Sequence, residues 1–292
     1  MKTSTWIILI VAVFFIAAAI AFFVILSMGE FMPDGRRLAL GKKVGLIEVT
    51  GTIVTSSELV EQITRFGDDS GISALVVRID SPGGGVAASQ EIYEELRRVR
   101  DGGKPIVASM GGIATSGAYY VACGADAIMA NPGTLTGSIG VIMSFPRAQE
   151  LMRKVGVDLE VLKTGEFKDM GSFARPMTER EKDLLEGILD DVYDQFVAVV
   201  SAERGIELGI VKEIADGRVF TGRQALEISL VDSLGGYMDA VSLAGELGGI
   251  SGTPTIVKPR KDLWTIWDLL EDLMGSASRM AGQEVSLEYS FR

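Results

Sequence analysis

The chain has 292 residues, 47% of them apolar, carries a net charge of −11 and contains no histidine. Without imidazole, the Ser-His-Asp and Cys-His mechanisms and most catalytic zinc sites are excluded, so an activated hydroxyl here needs a lysine, a carboxylate or the chain's own terminus as base. The acidic balance, with no basic cluster interleaved with aromatics, argues against nucleic acid as a partner, and the lone cysteine, Cys123, leaves no intramolecular disulfide and reads as a small packed hydrophobe.

Trp6 to Met28 runs without a charged residue, and as a helix it covers about 35 Å, enough to cross a bilayer core. The apolar run continues through "FFVIL" past the small residues at 19–21, so residues 1–28 predict an uncleaved transmembrane anchor rather than a cleaved signal peptide. Lys2 precedes the span, and Arg36, Arg37, Lys42 and Lys43 follow it. These flanking charges do not fix the orientation, because long domains translocate despite local charge. Residues 29–43, with glycine, proline and mixed charge, read as a linker. A domain follows over 44–257.

Within that domain the pattern is α/β. Strands are predicted at 44–53, 74–79, 105–110, 126–130, 140–144 and 157–165. The segment at 131–139 reads as a Gly/Thr/Ser loop. A helix begins at Ser56 or Ser57 with Leu59, Ile63 and Phe66 at helical spacing, and a second places Ala88, Ile92, Leu96 and Val99 on one face. A long helix over 178–204 carries Leu185, Leu189, Val192, Phe196 and Val200 as its buried stripe and opens on a Thr178/Glu181 capping box. Strands alternating with helices predict a mostly parallel, helix-covered sheet. The tail 258–292 is amphipathic, with Leu263, Trp267, Leu270 and Met274 on one side, and reads as docking on its own or a neighbouring subunit.

Three segments carry candidate chemistry. In "RIDSPGGGVAAS" (78–89) a strand ends in glycines before a helix, which suits either a tight turn or an oxyanion hole made of backbone N–H groups. In "SMGGIATSGAYYVA" Ser116 opens a helix. A serine there is ordinarily a cap, and a nucleophile only if something activates it; the segment lacks the G-x-S-x-G spacing of a nucleophile elbow. In "LKTGEFKDMGSFARPMT" (162–178) Lys168 lies in a loop beside Phe167. Burial there would bring its pKa toward neutrality and make it a base, whereas pairing with Asp169 would keep it charged. Both readings stand on the residues alone.

Taken in order, "DSPGGGV", "ATSGAYYVACGAD", "TLTGSIGVI", "TGEFKDMGSFARPMTERE" and "DGRVFTGRQALEISLVDSLGG" resemble the SppA-type signal peptide peptidases over about residues 44–245. Those are membrane-anchored serine proteases with a Clp-protease/crotonase-like fold of repeated β-β-α units. The resemblance implies Ser116 as nucleophile and Lys168 as general base, 52 residues apart as in the short one-domain members. It implies Gly83 and Gly117 as oxyanion donors and Ser138 as a hydrogen-bond partner of the lysine, with no metal or cofactor. Ala118 stands where many relatives have a second glycine, and a helix should tolerate its methyl group. The resemblance further implies signal peptides and other membrane-associated peptides as substrates, a ring-like homo-oligomer, and a single-pass cell-membrane protein with its catalytic domain outside the cytoplasm. The nearest alternative is a related membrane Ser-Lys protease that cleaves stomatin-like partners. Further off are a crotonase-type acyl-CoA enzyme and a non-enzymatic membrane scaffold.

Overall fold

A computed structural model describes residues 43–259 and the strand 287–290. The predicted anchor (1–28), most of the linker and most of the amphipathic tail lie outside the described residues. Among the described residues no helix is long and apolar enough to cross a membrane.

The described elements run β1 (Lys43–Thr50), α1 (Ser57–Asp68), β2 (Ile72–Ser81), β3 (Gly83–Gly85), α2 (Val86–Asp101), β4 (Ile106–Thr115), α3 (Gly117–Ala122), β5 (Ala127–Ala130), β6 (Leu135–Gly137) and β7 (Ile142–Met143). They continue with α4 (Gln149–Val155), a 3-10 turn (Glu166–Asp169), α5 (Glu179–Arg204), α6 (Leu208–Ile214), β8 (Val219–Thr221), α7 (Gly222–Glu227), β9 (Ser233–Leu234), α8 (Tyr237–Leu247), β10 (Thr255–Val257) and β11 (Leu287–Ser290). The result is a mixed α/β fold around a central sheet of order β10-β1-β2-β4-β5-β9, parallel throughout; β6 joins beside the end of β4, and β8 pairs antiparallel with β6.

Side chains alternate across a strand, so a sheet covered on both faces needs apolar residues in succession. Val44 and Leu46 of β1, Ala74 and Val76 of β2 and Val107 of β4 face α8, where Ala240, Val241 and Ala244 meet them. Ile47, Val49, Leu75, Val77, Ile79, Ile106 and Ala108 face the other way, into the larger core built with α1, α2 and α5. Ile63, Phe66, Ala88, Ile92, Leu96 and Val99 are buried as their spacing predicts. Each large side chain among them contributes about 1.5–3 kcal/mol relative to exposure.

The long helix α5 starts with the predicted capping box: Glu181 N–H bonds the Thr178 side chain while the Glu181 carboxylate accepts from Thr178 N–H at 2.8 Å. Leu185, Val192, Phe196 and Val200 are buried, and Leu189 is half-buried. Cys123 is buried, and desolvation pushes its thiol up to about 12, the inert state expected of it.

Two expectations fail. The segment 157–165 forms no strand; Val157, Leu159 and Val161 instead stand 53%, 46% and 43% exposed. Alternation alone does not make a strand, because the backbone also needs an edge to pair with, and among the described residues no strand edge pairs with it. Conversely, the supposed loop at 131–139 contains β6, three residues recruited by pairing with β4. Short strands of this kind depend on a neighbour more than on their own composition.

Candidate active site

Three chain segments converge where parallel strands end at their carboxyl side, the usual place for a site in an open α/β sheet. Ser81 at the end of β2 is in register with Ala114 of β4, and Thr115 of β4 with Gly137 of β6. Side chains lock the three ends together. Thr115 Oγ1 donates to the Pro82 carbonyl at 3.1 Å, and Thr136 Oγ1 donates to the Ala114 carbonyl at 2.7 Å. The Ser116 N–H donates to the Gly137 carbonyl at 2.8 Å. The sequence-predicted residues Gly83, Ser116, Gly117 and Ser138 are thereby drawn to one place.

Ser116 sits between β4 and α3 with φ 56° and ψ −122° and is 1% exposed. That backbone conformation costs a non-glycine residue about 1–3 kcal/mol and persists only where the surroundings impose it. The surroundings here are strong. Tyr119 is fully buried and its hydroxyl donates to the Leu230 carbonyl at 2.8 Å. Tyr120 packs between Tyr93 and Phe196, each ring centroid 5.1 Å away. The two tyrosines after the serine are thus anchors for the short helix that follows it. Although Ser116 occupies the N-cap position, its side chain makes no capping hydrogen bond. The ordinary reading of a helix-initiating serine therefore does not describe it. Three described non-glycine residues have positive φ, all serines, and Ser116 and Ser138 (φ 51°) are two of them.

Upstream, β3 is threaded against Ile53. The Ile53 N–H donates to the Gly83 carbonyl at 2.8 Å and the Gly85 N–H donates to the Ile53 carbonyl at 2.7 Å. A Cβ on Gly84 would lie 2.1 Å from the Ile53 carbonyl oxygen, so only glycine fits. Gly83 has φ 99°, and its N–H donates to Ser81 Oγ at 3.1 Å. Ser81 was not singled out from sequence, although it stands in "DSPGGG". Gly117 is the first residue of α3, where an N–H has no partner within the helix. Ser138, 7% exposed, is held by its N–H on the Arg218 carbonyl at 2.8 Å.

Lys168 lies on the 3-10 turn and is exposed, with no hydrogen bond to Ser116 or Ser138 among the described residues. Its neighbour Asp169 does not pair with it. Asp169 instead takes Arg175, which reaches both carboxylate oxygens at 2.9 and 2.6 Å, and Lys163. Those two cations hold the Asp169 carboxyl well below the usual carboxylate range. Of the two outcomes left standing by the sequence the structure adopts neither: Asp169 does not capture Lys168, and Lys168 is exposed rather than buried.

A second small sheet borders the site. β11 (Leu287–Ser290) runs antiparallel between β3 and β7, with Ser290 opposite Gly83, Tyr289 opposite Gly84 and Glu288 opposite both Gly85 and Ile142. The glycine segment is therefore paired on both sides, with β11 along one edge and Ile53 along the other.

Peptidase family S49 matches residues 98–251 of the chain, a stretch that contains Ser116, Ser138 and Lys168. The chain belongs to that family. It is accordingly a serine peptidase, related to proteins named SppA, protease 4 and SohB. It is 47% identical to a putative protease of Synechocystis sp. over 72% of this chain and 76% of that one. It is 34% identical to the putative signal peptide peptidase SppA of Enterococcus faecium, over 73% of this chain and 64% of that one. A chloroplastic serine protease SPPA of Arabidopsis thaliana is 30% identical over 82% of this chain, which spans 36% of that relative's length.

Proposed function

We propose that the chain is a membrane-anchored endopeptidase of the Clp-protease/crotonase-like fold that degrades cleaved signal peptides and other membrane-associated peptides with a Ser116-Lys168 dyad. One observation carries the reading. Ser116 is a buried, backbone-strained hydroxyl at a strand-to-helix junction that spends no hydrogen bond on its helix. Lys168 takes the proton from Ser116 Oγ as it attacks the peptide carbonyl. The developing oxyanion accepts from the N–H groups of Gly117 and Gly83, replacing Ser81 Oγ as the acceptor of the latter. The lysine ammonium then protonates the leaving amine, and water hydrolyses the acyl-enzyme. Ser138, at the same strand end, orients the lysine.

An extended peptide pairing along β3 suits the backbone edge that β11 occupies. Residues 6–28 supply the anchor, with the peptidase domain outside the cytoplasm. A homo-oligomer, ring-like in arrangement, accounts for the exposed Leu151, Val155, Val157, Leu159 and Leu162, an apolar run that a lone soluble subunit would leave in water.

Turnover of a signal-peptide mimic and fluorophosphonate labelling test this together. Ser116→Ala should abolish both, and Lys168→Ala should abolish turnover in a folded protein. Labelling and hydrolysis that survive in Ser116→Ala would remove the assignment.

A further inference from the structure

The turn that carries Lys168 is fastened through every side chain except the lysine's, whose residue is held by its backbone N–H on the Gly165 carbonyl at 3.3 Å. Glu166 takes the Arg180 guanidinium at 2.7 and 3.0 Å, and its carbonyl accepts from Lys163 Nζ at 2.9 Å. Phe167 lies under the same Arg180, whose guanidinium carbon is 5.6 Å from the ring centroid. Asp169 is gripped by Arg175 and Lys163. Of the side chains on this turn, that of Lys168 makes no ion pair with a carboxylate among the described residues.

Arg175 is the hub of this arrangement. Its Nε and Nη2 hold the two oxygens of Asp169, and Nη2 also reaches the Asp169 carbonyl at 3.3 Å. From the same planar group it holds both oxygens of Glu181, and Nη1 donates to the Pro176 carbonyl at 3.0 Å. Glu181 is 1% exposed and is itself fixed by the capping box of α5. A rigid helix start, a buried carboxylate, one guanidinium and the turn are thus joined in series. Two parallel bonds to each of two carboxylates need the flat fork of arginine, which an ammonium cannot reproduce.

We infer that Arg175 is a positioning residue for the catalytic base: it ties the Lys168 turn to the first turn of α5 and withholds the Asp169 carboxylate from Lys168. The inference rests on the reading of Lys168 as base. It gives that reading a physical condition, because a carboxylate one residue away would otherwise favour the charged ammonium, which cannot accept a proton. The charged groups that bonding brings to this turn are Lys163, Glu166, Asp169 and Arg175 from the loop and Arg180 and Glu181 from α5. Only Asp169 and Glu166 are anions on the turn itself, and both are matched by cations.

The test measures kcat, KM and the pH profile of the full chain for wild type, Lys168→Ala, Arg175→Lys, Arg175→Gln/Glu181→Gln and the latter with Asp169→Asn added. Glutamine at 181 avoids stranding a buried charge and still suits a capping box. We expect Arg175→Gln/Glu181→Gln to lose on the order of 10- to 100-fold in kcat with KM little changed, the scale of a displaced catalytic group. Its acidic limb should move to higher pH, and adding Asp169→Asn should move the limb back while kcat stays low. Arg175→Lys should recover part of the rate. A wild-type kcat and pH limb in Arg175→Gln/Glu181→Gln would overturn the inference. So would a rate loss that follows thermal stability alone with no movement of the limb. If the double variant fails to fold, the limb of Arg175→Lys decides: a wild-type limb and kcat overturn the inference, and a raised limb supports it. Full activity in Lys168→Ala would instead remove the dyad reading. A dead Lys168→Ala beside an unaffected Arg175 series would remove only the inference.

Discussion

Gly84 and Gly85 are neighbours in one glycine run, yet the structure assigns them opposite responses to alanine. At Gly84 an added Cβ would meet the Ile53 carbonyl oxygen at 2.1 Å and its carbonyl carbon and amide nitrogen at 2.7 Å. These are backbone atoms that cannot rotate away. Relief requires Ile53 and β3 to separate, which breaks the bonds Ile53 N–H to Gly83 carbonyl and Gly85 N–H to Ile53 carbonyl. At about 0.5–1.5 kcal/mol each, the two bonds put the loss near 2 kcal/mol. For a domain of this size that lowers the melting temperature by roughly 4–8 °C. Because Gly83 is the proposed oxyanion donor, kcat should fall by up to about 100- to 1,000-fold, the range for losing one such donor. At Gly85 the nearest atom to a Cβ is 3.6 Å away and φ is −58°. Alanine there restricts mainly the unfolded chain and should stabilise by about 0.4–1 kcal/mol. Thermal melts of Gly84→Ala and Gly85→Ala, read beside peptidase rates, make the comparison. Equal melting temperatures for the two variants would refute the threading of β3 against Ile53.

Two further outcomes follow from the site's surroundings. The Arg175 guanidinium, followed by the Thr178 N–H, lowers Glu181 from 4.5 to about 2. A carboxyl lowered in the folded state stabilises fully above its unfolded value and loses that contribution as pH falls toward its folded value. Hence the stability gap between wild type and Glu181→Gln should be largest above pH 4.5 and shrink between there and about 2; denaturant titrations showing a constant gap would contradict the pairing. Separately, β11 lies along the β3 edge that an extended substrate would use. A chain stopped at residue 286 should therefore show a lower KM for a peptide substrate, and an unchanged KM would mean that substrate does not pair with β3.

Much of this architecture is written locally. The missing histidines leave only a lysine, a carboxylate or the chain's terminus to activate a hydroxyl. The Thr178/Glu181 box, the apolar face of α2 and the glycine run each answer to constraints a few residues long, and all are found where the spacing puts them. Tertiary structure decided the rest. Whether 157–165 or 135–137 became a strand depended on which had a partner edge, information held 20 or more residues away in β4. Ser116 reads as an ordinary cap until the anchored tyrosines and the Gly137 carbonyl impose its positive-φ backbone. The choice of Asp169 between Lys168 and Arg175 is a competition among side chains on one loop, and it is settled by the buried carboxylate of Glu181, which draws the guanidinium to the start of α5. Composition left a lysine, a carboxylate or the chain's terminus as base for an activated hydroxyl; long-range packing determined that Ser116 makes no capping bond and that Asp169 pairs with Arg175 and Lys163 rather than with Lys168.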